Sequence, residues 1–227
     1  MSKPAKLKAV SMFSAVEPDL TPAQKHQADR ERNRREAATF CVPERYIGNH
    51  FYDFDIDPKR RGRVAGGSKV IDSVWEDMTE AINDERSLRF LFQGPSGVGK
   101  TSLASACYLA ACSELPFGWL FDDAGNQPQW VDTLEFCNAL DKGSVSKAKT
   151  ATVLCLDDLG RELLMGAAAV TAMVLIIRHR HAHDMPTIVT TWLRDDQIAN
   201  QYGADVLRRL QDGASVVRWP FNGGQKP

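Results

Sequence analysis

The stretch from Gln93 to Ser102, QGPSGVGKTS, constrains this chain more than any other part of it. An apolar run, Phe90-Leu91-Phe92, leads into Gly94-Pro95-Ser96-Gly97-Val98-Gly99-Lys100-Thr101, and a helix-forming run from Ser102 to Cys112 follows. That is G-x-x-x-x-G-K-T with a buried strand before it and a helix after it, the setting in which the pattern has a mechanism. Gly94, Gly97 and Gly99 let the backbone turn tightly and approach an anion with no Cβ in the way. The N–H groups of Gly97 to Thr101, at the positive end of the next helix, then point at phosphate oxygens. In such a loop Lys100 reaches the β- and γ-phosphates and the Thr101 hydroxyl ligates Mg²⁺. The segment therefore predicts a nucleotide-binding cradle running from Gly94 through Pro95, Ser96, Gly97, Val98, Gly99, Lys100 and Thr101 to Ser102.

About sixty residues on, Thr152-Val153-Leu154-Cys155-Leu156 predicts a buried strand ending in Asp157-Asp158. A strand tip bearing two carboxylates is the expected second half of a phosphate-loop site. Asp157 can hold Mg²⁺, and Asp158 can accept a hydrogen bond from an attacking water and orient it. Gln129 to Val131, Thr187 to Thr191 and Ser215 to Trp219 predict further strands, with Pro186 tolerated at an edge. Ser68 is expected to cap a helix reaching about Asp84, and a further helix to begin at Asp132. Leu193 to Leu210 reads as two short helices, Glu114 to Gln129 as a loop with a short strand near Trp119, and Gly143 to Thr150 as a loop. Strands alternating with helices predict a layered α/β domain around a mainly parallel sheet.

Size and composition set outer bounds. The 227 residues suffice for one main domain and an appendage. A net charge of −1 means that any basic surface must be local. The five cysteines include no C-x-x-C pair, which reads as reduced, buried thiols in a cytoplasmic protein. The start, MSKPAKLKAV, lacks the apolar core of a signal peptide. The longest uncharged run, Leu163 to Ile177, falls short of the roughly 20 residues that span a bilayer and reads as a buried helix. Residues 1–42 form a separate arm with eight positive and five negative charges. Its helix, started by Thr21-Pro22, is polar nearly all round and cannot bury a face in its own core. Residues 43–227 make up the main domain.

Five blocks resemble the AAA+ ATPases of the DnaC/IstB type, the bacterial and phage replicative-helicase loaders and transposition helpers. They are VPERYIGNHFYDFDI (Val42 to Ile56), QGPSGVGKTSLA (Gln93 to Ala104), VLCLDDLGRE (Val153 to Glu162), MPTIVTTWL (Met185 to Leu193) and YGADVLRRLQDGASVVRW (Tyr202 to Trp219), in the family's order. The resemblance implies a three-layer P-loop NTPase fold of AAA+ type, with the helical lid absent or vestigial. It implies an ATP- and Mg²⁺-dependent switch, hydrolysing ATP to ADP and phosphate, that docks on a hexameric replicative helicase and on single-stranded DNA. A transposase is the alternative partner, and the amino-terminal arm is the implied docking element.

Site residues carry over by position. Phe51 to Phe54 match the family's F-x-x-F segment near the adenine. Arg209, with Arg208 as its neighbour and rival, matches the arginine that reaches into an adjoining subunit's site, which implies self-association. Arg180 stands where the family often has an arginine. Thr190-Thr191-Trp192 replaces the usual T-S-N, so Thr191 is the candidate to position the attacking water.

A non-hydrolysing ATP-bound adaptor would suit Trp192, and a small-molecule kinase would need an arginine-rich lid that Glu114 to Thr150 does not show. The alternating His179, His181 and His183 face different directions on a helix and do not form a metal set. Lys59 to Arg63 and Lys142 to Lys149 are candidate contacts to a phosphate backbone.

Overall fold

Strand alternates with helix from Ser68 onward, and hydrophobic spacing accounts for each element. The structure is a computed structural model and describes residues 42, 43, 46, 51, 64–84, 87–114 and 125–221. The arm over 1–41, the basic loop Lys59 to Arg63 and the short strand expected near Trp119 lie outside the described residues. Helix α1 (Ser68–Asn83) buries Ile71, Val74, Met78 and Ala81, the three-to-four spacing of one helical face. Strand β1 (Arg89–Gln93) buries four of its five residues. Then come α2 (Lys100–Glu114), β2 (Gln129–Asp132), α3 (Thr133–Asn138), α4 (Lys142–Thr150) and β3 (Leu154–Leu159). A 3-10 turn (Arg161–Met165), α5 (Ala167–Ala182), β4 (Thr187–Thr191), α6 (Asp195–Tyr202), α7 (Ala204–Gln211) and β5 (Ser215–Arg218) complete the order.

The five strands form one parallel sheet in the order β2-β3-β4-β1-β5. Side chains alternate across it. Phe90, Phe92, Cys155 and Ile188 pack on α1 and α2, whereas Leu91, Leu154, Leu156 and Val189 pack on helices α3 to α7. Both faces are covered, as a parallel sheet requires. With β4 between β1 and β3, the phosphate loop and the paired carboxylates open at the same, carboxyl-terminal edge. That edge is where open α/β sheets place ligands.

Several expectations from sequence change. Gly67, not Ser68, occupies the cap position of α1, with no side-chain cap. The loop expected over Gly143 to Thr150 is helix α4. Asp141 and Ser144 form a reciprocal capping box, with Asp141 Oδ1 accepting from the Ser144 amide at 2.6 Å, and Ala148 is buried. The uncharged run Leu163 to Ile177 is not one buried helix. Gly166 separates the 3-10 turn from α5, and Leu164 and Leu175 are 83% and 51% exposed. No helix among the described residues is long and apolar enough to cross a membrane. Cys107, Cys112, Cys137 and Cys155 are free and buried.

Arg180 is fully buried at the amino-terminal end of β4, the edge opposite the phosphate loop. Its Nε donates to Thr187 Oγ1 at 3.0 Å and its Nη1 to the carbonyl of Ala151 at 2.6 Å. Further bonds from Nη1 and Nη2 reach the carbonyls of Ala148, Lys149 and Pro186. The side chain thus satisfies the last turn of α4 and the entry to β4, a structural tie at the edge away from the phosphate loop. Burial draws its pKa down to about 9, still above neutrality. Replacing Arg180 with leucine leaves several buried carbonyls without donors, at roughly 1–3 kcal/mol each. Urea unfolding is expected to show a loss of about 3 kcal/mol or more, with lysine failing to restore it because one ammonium cannot reproduce the planar fork.

Candidate nucleotide site

The phosphate loop is braced before any ligand is considered. The Gly94 amide donates to the Thr191 carbonyl at 3.1 Å, and the Trp219 amide donates to the Gln93 carbonyl at 2.8 Å. A Cβ on Gly94 would stand 2.7 Å from that of Trp219, so only glycine allows the loop to leave β1 beside the end of β5. Gly97 and Gly99 have φ of 82° and 96°, left-handed conformations that glycine adopts without strain. The Ala65 amide donates to the Val98 carbonyl at 2.9 Å, holding the far side of the loop.

Lys100 opens α2 with its side chain buried. The ammonium donates to the carbonyls of Gly94 (2.9 Å) and Pro95 (2.8 Å). Burial lowers its pKa, while the nearby carboxylates of Asp158 and Asp157 pull it back up. The electrostatic pull of both aspartates on Lys100 places the two halves of the sequence-predicted site at one edge.

The carboxylates are aimed by an irregularity in β3. Leu156 pairs with Val189 but Leu159 pairs with Thr191, so β3 carries one extra residue at Asp157-Asp158. Such a bulge redirects side chains at a strand end. Asp158 accommodates it at φ 60°, a left-handed conformation that costs a non-glycine residue free energy and persists where surroundings enforce it. Those surroundings are Thr190 and Thr133. Thr190 Oγ1 accepts from the Asp158 amide at 2.8 Å and donates to Asp157 Oδ1 at 2.7 Å, and Thr133 Oγ1 donates to the Asp158 carbonyl at 2.8 Å. Asp158 Oδ2 faces the Arg161 guanidinium at 3.3 Å.

Asp157 is buried, and burial pushes its pKa up to about 6 despite hydrogen bonds from Thr190 and Thr101; neighbouring Asp158 adds to the rise. The folded state therefore holds this proton more tightly than the unfolded chain does. An ionised Asp157 costs stability above pH 6, and the cost fades as pH falls from 6 to 4. At about 1.4 kcal/mol per pKa unit the cost is about 2–3 kcal/mol. Asp157→Asn, without divalent metal, is expected to melt higher than the natural chain at pH 7.5. The gap should close between pH 6 and pH 4 in a calorimetric series. A gap independent of pH would assign it to something other than this carboxyl.

Thr101 and Asp157 supply hard oxygen donors at one point, which suits a Mg²⁺ that takes one or two protein oxygens and fills its shell with water and phosphate. No group of three His, Cys, Asp or Glu that could hold a metal unaided occurs among the described residues.

The other sequence candidates lie apart. Thr191 is buried, donating to the Leu159 carbonyl at 2.7 Å and accepting from the Leu193 amide at 3.1 Å. Its hydroxyl braces β3 against the chain leaving β4. Thr190, one residue earlier, is the one that meets Asp157 and Asp158; the alternation of a strand would have singled it out had the register with β3 been known. Trp192 is half-buried near Gly160. Phe51 packs on Trp75 in the first core, ring centroids 4.9 Å apart, whereas Phe54 lies outside the described residues. Glu162, unassigned from sequence, is fully buried. One oxygen accepts from the Gly160 amide at 2.9 Å and the other from the Tyr202 hydroxyl. It ties the segment after the carboxylates to the end of α6, and burial beside Glu162 pushes the Tyr202 phenol well up.

Arg209 sits on α7 in a small cavity it lines with Arg89, His181 and Thr187, at the amino-terminal ends of β1 and β4. The length of β1, about 13 Å at strand rise, separates that end from the phosphate loop. Arg209 is 24% exposed and Arg208 61%, and both pair with Asp205.

A parallel sheet in this strand order, a glycine-lysine loop after β1 and paired carboxylates on β3 define a P-loop NTPase fold of AAA+ type. Within that class the fold is similar to the DnaC helicase loader, with a TM-score of 0.58 at 19% identity, covering 78% of this chain and 99% of that one. It is similar as well to DnaI (TM-score 0.51, 18% identity, 65% of this chain and 84% of that chain). A Streptococcus pyogenes protein described as a primosome component matches with a TM-score of 0.52 at 16% identity, over 79% of this chain and 90% of that one. No protein-family model and no curated protein matches the sequence.

Proposed function

We propose that this chain is an ATP-hydrolysing AAA+ switch that loads a hexameric replicative helicase onto single-stranded DNA. The observation that carries the reading is the convergence of Lys100, Thr101, Asp157 and Asp158 at one sheet edge, in a fold similar to that of a helicase loader. The loop amides from Gly97 to Thr101 and the Lys100 ammonium bind the triphosphate. Thr101 and Asp157 would hold Mg²⁺, which when bound would neutralise charge on the phosphate oxygens. Asp158 orients a water for attack on the γ-phosphorus. A P–O bond to that water forms, the bond to ADP breaks, and the water's proton leaves with phosphate or to solvent. Arg209, too far from its own phosphate loop, reaches the site of an adjoining copy.

Lys142, Lys147 and Lys149 on α4 offer contacts to a DNA backbone. The involvement of Thr191 in backbone bonds supports a second reading, an adaptor that binds ATP without turnover. The test uses the host's purified hexameric helicase, a transposase and a thymidine oligonucleotide, each with ATP or ADP. Helicase retention with ATP, release with ADP and phosphate production are expected. Retention of the transposase alone would make the chain a transposition helper. Indifference to adenine nucleotides would overturn the reading altogether.

A further inference from the structure

Arg209 is held in a way that a surface arginine is not. Its Nε donates to Asp205 Oδ2 at 2.9 Å and its Nη1 meets His181 Nδ1 at 3.0 Å. A guanidinium can only donate, so Nδ1 of His181 must be the acceptor and the ring proton must sit on Nε2. That proton is directed at Asp212 Oδ2, 2.8 Å away. The chain of bonds runs from Arg209 through His181 to Asp212 and joins α7 to the last turn of α5. His181 is only 17% exposed. Two of the three guanidinium nitrogens are pinned, and Nη2 makes no hydrogen bond among the described residues. The neighbours differ. Arg208 is mostly exposed, with a 3.2 Å contact to Asp205 and a 4.0 Å contact to Asp212, and Arg178 reaches Asp205 from α5.

From this we infer that His181 is a positioning residue for Arg209: its unprotonated Nδ1 fixes the guanidinium so that Nη2 is presented to the nucleotide site of a second copy. The inference rests on the proposed role of Arg209 and adds the device that sets its geometry. An arginine carries considerable rotamer freedom, and fixing it beforehand removes that ordering cost from the step in which it acts. His179 and His183 take no part: four residues apart, they share a face rather than pointing different ways as their alternation suggests, and their rings lie against each other with centroids 4.2 Å apart.

The chemistry of the acceptor supplies the test. An asparagine at 181 can place its amide oxygen near the position of Nδ1, whereas alanine cannot. Phosphate release is measured at saturating Mg–ATP with a thymidine oligonucleotide, for the natural chain, His181→Ala, His181→Asn and Arg209→Ala. His181→Ala is expected to lose roughly 10- to 100-fold in kcat, the scale of an ångström-sized misplacement. Its KM and its directly measured ATP affinity should stay within about 2-fold of the natural chain, and His181→Asn should recover most of the loss. His181→Ala subunits keep an intact phosphate loop, so mixing them with Lys100→Ala subunits, which supply a held Arg209, should restore turnover. A merely structural histidine would give neither the recovery by asparagine nor the complementation. If Arg209→Ala abolishes turnover while His181→Ala matches the natural chain, the inference about His181 fails and the reading of Arg209 stands. If Arg209→Ala turns over normally, or the natural chain does not turn over at all, both are overturned.

Discussion

Lys100→Ala is expected to lower ATP affinity by about two to four orders of magnitude while leaving the fold in place. The ammonium is already held at the mouth of the loop by the Gly94 and Pro95 carbonyls, so it meets a triphosphate without reordering a flexible side chain. Two charge-assisted hydrogen bonds to phosphate oxygens contribute roughly 1.5–3 kcal/mol each, and 1.4 kcal/mol is a factor of ten in affinity. The same substitution relieves a buried cation whose pKa burial lowers, so its effect on unfolding should be small against its effect on binding. Titration calorimetry with Mg–ATP, paired with a melting curve, separates the two. Affinity within a few-fold of the natural chain would remove Lys100 from the site, and with it the whole reading of residues 94–102.

What could be read from the chain without coordinates follows from which interactions are local. The phosphate loop is a local device: glycines for the turn, a lysine, a threonine and the helix they begin are consecutive. The strands around Leu91, Leu154 and Val189 announce themselves as apolar runs because a parallel sheet covered on both faces admits nothing else. The geometry that aims the carboxylates is not local. The bulge at Asp157-Asp158 exists in the register between β3 and β4, and Thr190 bridges those two residues from 32 or more positions away. Glu162 and Tyr202 are 40 residues apart, and no periodicity pairs them. Trp192 fills the place where the resemblance expects an asparagine, which makes Thr191 the stand-in for positioning water, yet strand alternation turns the Thr191 hydroxyl to the Leu159 carbonyl and that of Thr190 to Asp157. Helix α4 was hidden by its polar composition, although the Asp141 and Ser144 spacing carried its cap.

Arg209→Ala should bind ATP as the natural chain does and lose turnover by roughly 10³- to 10⁵-fold, the range seen when a charge-neutralising arginine is withheld from a related NTPase. The separation of binding from turnover follows from position. Arg209 lines a cavity with Arg89 and Thr187, the first residues of β1 and β4, while Lys100 and Asp157 stand at the opposite ends of the strands. It cannot reach its own γ-phosphate without unfolding α7, whose Val206 and Leu210 are buried in the second core. Under the proposed role of Arg209, the deficit should therefore depend on neighbours. In mixtures of Arg209→Ala with Lys100→Ala, a competent site appears wherever a loop from the first kind of subunit meets an arginine from the second. Turnover should rise to a maximum at an intermediate ratio and vanish at both extremes. Arg208→Ala, removing a mostly exposed side chain from the same hub on Asp205, should cost far less than Arg209→Ala. Turnover that stays at the residual level of the Arg209→Ala subunits at every ratio, with Lys100→Ala subunits adding nothing, would mean that no site is shared between copies. Equal losses for the two arginines would in turn transfer the role from one held guanidinium to the positive field of the cluster as a whole.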